Sequence, residues 1–217
     1  MTDPSQVDEA IAEQLALRAN VIAHAPAGFA PRTAAGLDVA YDGDRLVAAV
    51  CVVEVSTLET VESKTVAGST DFPYVPGLFA YRELPSVRAA LEELATKPDV
   101  VVCDGHGLAH PRRFGFACHL GVLTGLVTIG VAKSAFGSYV EPGSRRGDWS
   151  PVEHEGEVVG RALRTQDGIK PVFVSIGHLI DLESACDLVL RLAAQHRQPE
   201  TTRRADHLCR QALRSLA

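Results

Sequence analysis

The sequence predicts a mixed α/β fold: one sheet in which an antiparallel three-strand meander is extended by parallel strands, flanked by helices. Three observations carry this reading. Three apolar stretches in the first third of the chain are separated only by turn-forming residues, which is the spacing of a meander. Two short, nearly continuous apolar runs further on alternate with helical segments, as strands covered on both faces by crossover helices do. Helices with an apolar residue every three or four positions stand at the two ends of the chain.

Taken in order, residues 4–24 read as a helix with Val7, Ile11, Leu15 and Val21 near one face, ended by residues 26–32 (PAGFAPR). Strands follow over 35–41, 45–55 and 60–67, separated by Asp42-Gly43-Asp44 and by Ser56-Thr57. A loop rich in Pro and Gly (68–77) leads to a helix expected at 86–95. Residues 99–104 (DVVVCD) form a short buried strand that ends on a carboxylate. A loop rich in Gly and His (105–113), a helix over 114–125 and a strand over 127–132 come next. Residues 157–164 and 171–176 flank Asp167-Gly168 and read as a hairpin, and helices over 181–196 and 202–216 close the chain. An antiparallel triplet extended by strands alternating with helices is the arrangement of a ribonuclease H-like sheet.

At 217 residues the chain has the length of one domain, expected to span 1–217 with an N-terminal helix over 1–25 and a core over 35–217. With 46% hydrophobic and 22% charged residues, it is neither disordered, collagen-like nor a coiled-coil rod. The five cysteines are odd in number, scattered and without a CxxC pair, which argues against a disulfide framework or a zinc knuckle and for a reducing compartment. The acidic start MTDPSQVDEA does not resemble a signal peptide, and the longest apolar run, 46–53, falls far short of the ~18 residues of a membrane span. A cytoplasmic protein, monomeric and without a membrane partner, is expected.

The net charge of −6 excludes a nucleic-acid binder that works by bulk positive charge. The charge is uneven, however: residues 1–104 carry a net −9, residues 105–170 a net +2 and residues 171–217 a net +1. A polyanionic partner therefore remains open if its contacts fall after residue 105.

Two carboxylates interrupt this pattern. Asp38 breaks the apolar strand 36–41 and Asp104 ends another, and burying either unpaired is costly. If their strands are neighbours, both project toward one point, where a hard divalent cation with oxygen ligands, magnesium above all, would relieve their repulsion. Glu83, just ahead of the expected helix, offers a third oxygen ligand. Each also has an ordinary reading taken singly: Asp38 as an ion-pairing strand residue, Asp104 as a turn starter before Gly105, and Glu83 as a first-turn carboxylate beside a helix dipole.

Read together, several segments carry a more specific signal. The loop PYVPG (73–77) is followed by FAYRE (79–83). The segment DGHGLAHPRRFG (104–115) runs on to HLG (119–121), and KS (133–134) and SIGH (175–178) follow in order. This ordered set, within residues 35–206, resembles the endonuclease V family of inosine-specific nucleases. The resemblance implies a ribonuclease H-like fold and magnesium-dependent hydrolysis, with manganese able to substitute. It further implies incision at the second phosphodiester bond 3′ to a deaminated adenine, leaving 3′-hydroxyl and 5′-phosphate ends, in DNA repair or in inosine-RNA processing. DNA and RNA present the same base edge and both stay open, as does one cation or two. By position, the metal ligands are Asp38, Glu83 and Asp104.

The family carries a further polar residue on its last helix after a TRxA-like pattern, here Thr202-Arg-Arg-Ala-Asp206 with His207 next. At about 100° per residue, Ala205, Leu208, Cys209, Ala212 and Leu216 form one buried stripe, Asp206 flanks it and His207 lies opposite. The catalytic role is therefore assigned to Asp206, with pairing to Arg203 or Arg210 as its ordinary alternative.

Distinguishing hypoxanthine from adenine requires reaching the pairing edge, so the base must leave the stack. The loop Tyr74-Val75-Pro76-Gly77 suits a wedge: Tyr74 offers an apolar plane to fill the gap, Pro76 stiffens the loop, and the family uses it so. Gly77, Gly107 and Gly115 allow the close backbone approach by which N–H and C=O groups read a lactam edge, with Leu78 or Phe79 and Phe136 as apolar walls. His110, Arg112 and Arg113 are expected to grip phosphates, with His119 in the same motif, and Lys133 to hold a phosphate oxygen or the departing charge. His106 stands where the family usually has glutamine. The alternatives are a ribonuclease H-like nuclease for hybrids or junctions and an inosine-binding module that does not cut.

Overall fold

A computed structural model describes residues 4–216. The first helix, α1, runs over Pro4–Leu17 and gives way to a single 3₁₀ turn at Arg18–Asn20, so the helical segment is shorter than the 4–24 expected. The meander is present as β1 (Thr33–Asp42), β2 (Arg45–Glu54) and β3 (Thr60–Ser69). Next come α2 (Ala80–Glu92), β4 (Val100–Asp104), α3 (Phe116–Thr124) and β5 (Thr128–Ala132). The remainder is β6 (Ser138–Tyr139), β7 (Trp149–His154), β8 (Glu157–Leu163), β9 (Val172–His178), α4 (Leu182–Leu192) and α5 (Glu200–Ser215).

All nine strands join one sheet in the order β3-β2-β1-β4-β5-β9-β8-β7-β6. β1, β4 and β5 are mutually parallel and every other pairing is antiparallel. Two departures from the sequence reading stand out. No element is expected from the sequence over the stretch that forms β6 and β7; β7 pairs with β8 across the turn at Glu155-Gly156. The second helix begins at Ala80 rather than at residue 86. Pro85 looks like a helix start, whereas α2 takes it inside its own length after opening with the tight bonds Tyr81 N–H to Leu78 C=O and Arg82 N–H to Phe79 C=O. Glu83 consequently rides on the helix instead of preceding it.

The alternation along β2 explains how the sheet is covered. Val47, Ala49, Cys51 and Val53 face one side and join Val102, Ile129 and Val174 beneath Val189 and Leu192 of α4 and Ala205 and Cys209 of α5. Ala48, Val50 and Val52 face the other, with Leu37, Val101 and Cys103, under Leu84 and Val87 of α2 and Phe116 and Leu120 of α3. Each fully buried aliphatic side chain contributes about 1.5–3 kcal/mol, so both layers are pinned to the sheet. α5 lies very close to β1: a Cβ added to Gly36 would stand 2.1 Å from the carbonyl carbon of Thr201. α1 joins Phe72 and Leu78 in a separate small core through Ala10. Among the described residues no helix is long and apolar enough to cross a membrane.

Candidate active site

Parallel pairing of β1 with β4 places Leu37 opposite Cys103. Asp38 and Asp104 are the next residues on the two strands, so the sheet brings them side by side as the sequence suggested. Glu83 reaches the same place from α2, and Asp206 from α5. Burial drives the Asp38 carboxyl upward from its ordinary pKa, helped by a hydrogen bond with Asp206 and by the Asp104 charge. Burial likewise pushes Glu83 up to about 8, with the charges of Asp38 and Asp104 adding to the shift. These shifts report first the burial of the two carboxyls and second the like charges held beside them.

Three of the four carboxylates also have a cationic or hydroxyl partner. Lys133, which follows β5, donates to Asp104 Oδ2 at 2.5 Å; burial opposes its charged form, but Asp104 prevails and raises its pKa. The Tyr41 hydroxyl donates to Glu83 Oε1 at 3.0 Å, and the Arg82 guanidinium lies over the Tyr41 ring. Arg210 Nε donates to Asp206 Oδ1 at 2.7 Å, one helical turn on. Among the described residues no three His, Cys, Asp or Glu side chains cluster tightly enough to hold a metal ion as placed. The donor set nonetheless suits a hard divalent cation in chemistry, since it consists of carboxylate oxygens under mutual repulsion that such a charge would relieve.

Asp38, Lys133, Asp206 and Arg210 line one cleft of about 450 Å³. A larger cleft of about 580 Å³, between α5 and β2–β3, is lined by Val47, Ala67, Leu208, Ala212 and neighbours without a titratable group; the chemistry belongs to the smaller one. On α5 Asp206 faces Asp38, whereas His207 is exposed and lines a different depression with Arg203 and Arg204; Leu216, expected in the buried stripe, is 53% exposed at the end of the helix.

Tyr74 stands at the tip of the 73–77 loop, 75% exposed, and Pro76 is exposed beside it. Leu78 is fully buried and offers no wall to a ligand, whereas Phe79 is partly exposed and packs on Phe116. Phe136 lies between the rings of His106 and His154, and His106 keeps a buried Nδ1 without a protein partner. Gly107 and Gly115 do allow close backbone approach, but to the protein itself: added Cβ atoms would stand 1.9 Å from the Ile176 carbonyl oxygen and 2.4 Å from that of His106.

The basic loop needs correcting. His119 is 2% exposed, packed between Tyr81 and Phe114, with burial lowering its pKa to about 4, so it cannot touch substrate. Arg113 is consumed by Glu157 at 2.9 Å and by the carbonyls of His110 and His154. Arg112 and His110 both bond the Gly77 carbonyl. These groups hold loops within the protein itself. The sequence reading missed Tyr41, whose signal is its place three residues after Asp38 on β1, and Gln14, whose partners lie 63–100 residues away.

The comparisons agree with this architecture. Residues 14–207 match the family model described as Endonuclease V. The chain is 56% identical to the endonuclease V of Nocardia farcinica, over 99% of this chain and 96% of that one. It superposes on the crystal structure of the endonuclease V from Streptomyces avermitilis with a TM-score of 0.93 and 52% identity, covering 100% of this chain and 95% of the other. The Ciona intestinalis endonuclease V, solved with a 24mer DNA containing an inosine followed by a ribo-adenosine, gives a TM-score of 0.86 at 25% identity, covering 98% and 100%. A ribonuclease H-like sheet, its carboxylates and the full-length match lead to one conclusion: the chain belongs to the endonuclease V family and is a nuclease.

Proposed function

We propose that the protein recognises deaminated adenine in nucleic acid and hydrolyses the second phosphodiester bond 3′ to it, leaving 3′-hydroxyl and 5′-phosphate ends, in DNA repair or inosine-RNA processing. The observation that carries this reading is the approach of Asp38, Glu83, Asp104 and Asp206 from four separate elements to one place beside Lys133. The inosine-containing DNA bound by the Ciona relative supports the base specificity.

Asp38, Glu83 and Asp104 would hold a magnesium ion, for which manganese can stand in. When bound, such a cation neutralises charge on the attacked phosphate and makes water nucleophilic at neutral pH. The chain's own groups do the rest. Tyr41 fixes the Glu83 carboxylate, and Arg210 holds Asp206 in the orientation that meets Asp38. Lys133 presents a flexible ammonium to a phosphate oxygen or to the leaving 3′-oxygen. Tyr74 fills the gap left by the extruded base, with Phe79 and Phe136 as apolar walls for that base. The site needs one chain only, consistent with a monomer, and five free buried cysteines fit a cytoplasmic setting.

The test is end mapping. A labelled strand with one inosine, incubated with magnesium, should yield a single cut two bonds 3′ of the inosine with the stated termini. Asp38→Ala and Asp104→Ala should remove the cut while circular dichroism stays native. Cleavage of hybrids or junctions without regard to inosine favours the plain ribonuclease H-like reading, and tight binding without turnover favours a non-cleaving module.

A further inference from the structure

One backbone carbonyl in the molecule receives three side-chain donors. Gly77 C=O accepts from Gln14 Nε2 at 3.0 Å, His110 Nε2 at 3.0 Å and Arg112 Nη2 at 2.8 Å. Gly77 ends the loop whose tip is Tyr74, and its φ of +81° is a left-handed value that suits glycine. The donors come from two places far apart in sequence: helix α1, and the loop after Asp104.

The arrangement leaves no member free to turn. Gln14 is 1% exposed. Its oxygen accepts from Arg112 Nε at 2.5 Å, and its nitrogen donates to both Gly77 and Phe114 carbonyls, so its amide has one consistent orientation. The Arg112 N–H donates to His110 Nδ1, which fixes the proton on Nε2 and makes that nitrogen a donor to Gly77. Burial, seconded by Arg112, lowers the His110 pKa to about 4, which keeps this tautomer neutral at physiological pH. Below the clamp, Leu78 and Phe72 pack on Ala10 of α1, and Tyr81 donates to the Ala10 carbonyl at 2.8 Å. The Tyr74 ring, by contrast, is left 75% exposed. An exposed tip on an immobilised root is the construction expected of an inserting element, because a pre-ordered loop loses less entropy on binding.

We propose that Gln14 is a positioning residue for base recognition: through Gly77 it locks the 73–77 loop in its inserting conformation, making helix α1 part of the apparatus that selects inosine. This rests on the proposed function, in which that loop enters the duplex or strand. Gln14 acts through the loop and touches neither the reacting phosphate nor the carboxylates.

The experiment is a double-mutant cycle with Gln14→Met and Tyr74→Ala, read on matched inosine and adenine strands with magnesium. Gln14→Met should raise KM for the inosine strand about tenfold, the equivalent of one lost well-formed hydrogen-bonded contact, with the saturating rate falling no more than about threefold. In the Tyr74→Ala background the same substitution should add less than about twofold, because the wedge it positions is gone. Amide hydrogen exchange at residues 73–78 of the protein alone should quicken in Gln14→Met while exchange in β1 and β4 stays slow. If Gln14→Met fails to fold, Arg112→Lys, which keeps the charge but loses the fork, is put through the same cycle. Equal KM effects in both backgrounds, or an unchanged KM in a folded variant, would overturn the proposal while leaving inosine cleavage intact. A wild-type protein that does not prefer the inosine strand would overturn both this inference and the function beneath it.

Discussion

Replacing Gly36 by alanine tests how the fold sets the spacing of the catalytic groups. Gly36 lies two residues before Asp38 on β1, beneath the first turn of α5. The added Cβ would stand 2.1 Å from the Thr201 carbonyl carbon and 2.4 Å from both the Thr201 oxygen and the Thr202 nitrogen. These are main-chain atoms, so no rotamer change relieves the contact, and α5 must retreat by roughly 1 Å or more to restore close packing. Overpacking of this kind costs about 1–3 kcal/mol, which for a chain of this size lowers Tm by roughly 3–10 °C. The functional effect should be larger. Asp206 rides on α5 and Asp38 on β1, and a misplacement of about 1 Å costs on the order of 10²-fold in rate. Single-turnover cleavage of an inosine strand at saturating protein, beside thermal unfolding by circular dichroism, reads both numbers. A Gly36→Ala protein with wild-type melting and a rate within twofold of wild type would refute the claim that α5 packing against β1 sets the Asp38–Asp206 geometry.

Three other outcomes are expected. Tyr74→Ala should leave stability within about 0.5 kcal/mol, since the side chain is exposed, but weaken binding to inosine strands by about tenfold to a hundredfold; equal binding to wild type in a gel-shift assay would remove Tyr74 from recognition. Chelation should abolish cleavage, magnesium should restore it, and magnesium tenfold above its Kd should stabilise the folded protein by about 1.4 kcal/mol, an increment absent in Asp38→Ala; a Tm indifferent to magnesium in the wild type would count against the metal site. Glu200 is held at about 2 against an ordinary 4.5, first by Arg203 and also by His196. Its pKa is depressed on folding, so its stabilisation is complete above about pH 5 and fades as pH falls toward 2. The shift corresponds to about 3 kcal/mol, reduced to about 1–2 by the half-exposed partners; the urea-unfolding difference between wild type and Glu200→Gln should shrink accordingly from pH 6 to pH 3, and a constant difference would contradict the assignment.

What was legible in the sequence and what was not divides along physical lines. Asp38 and Asp104 stand out because a carboxylate inside or at the end of an apolar strand breaks a period-two or continuous pattern, whereas the β1–β4 pairing that joins them is supplied by the structure. Asp206 could be separated from His207 because a helix turns by a fixed angle per residue. Glu83 is a candidate ligand from its position and gains its role from the resemblance, while its place on α2 is hidden by Pro85, which looks the same at a helix start as inside one. The basic loop was misjudged for a different reason. Arg112 and Arg113 have the composition of a phosphate grip, and nothing local reveals that their partners are Gln14, 98 positions away, and Glu157, 44 positions away. Strand β7 contains Pro151, and its place in the sheet depends on pairing with β8 that periodicity does not see. The bulk charge of −6 is compatible with a polyanionic substrate: the site carboxylates contribute to it, yet they are the groups that would hold a cation against a polyanion.

The central claim is that this carboxylate cleft cuts nucleic acid where an inosine marks it. The most direct measurement is the ratio of single-turnover cleavage rates for two end-labelled strands that differ only in inosine against adenine at one position, with magnesium present. A ratio well above one, with one incision at the second bond 3′ of the inosine, is the predicted result. A ratio of one, or no incision of either strand by a folded protein, would contradict it.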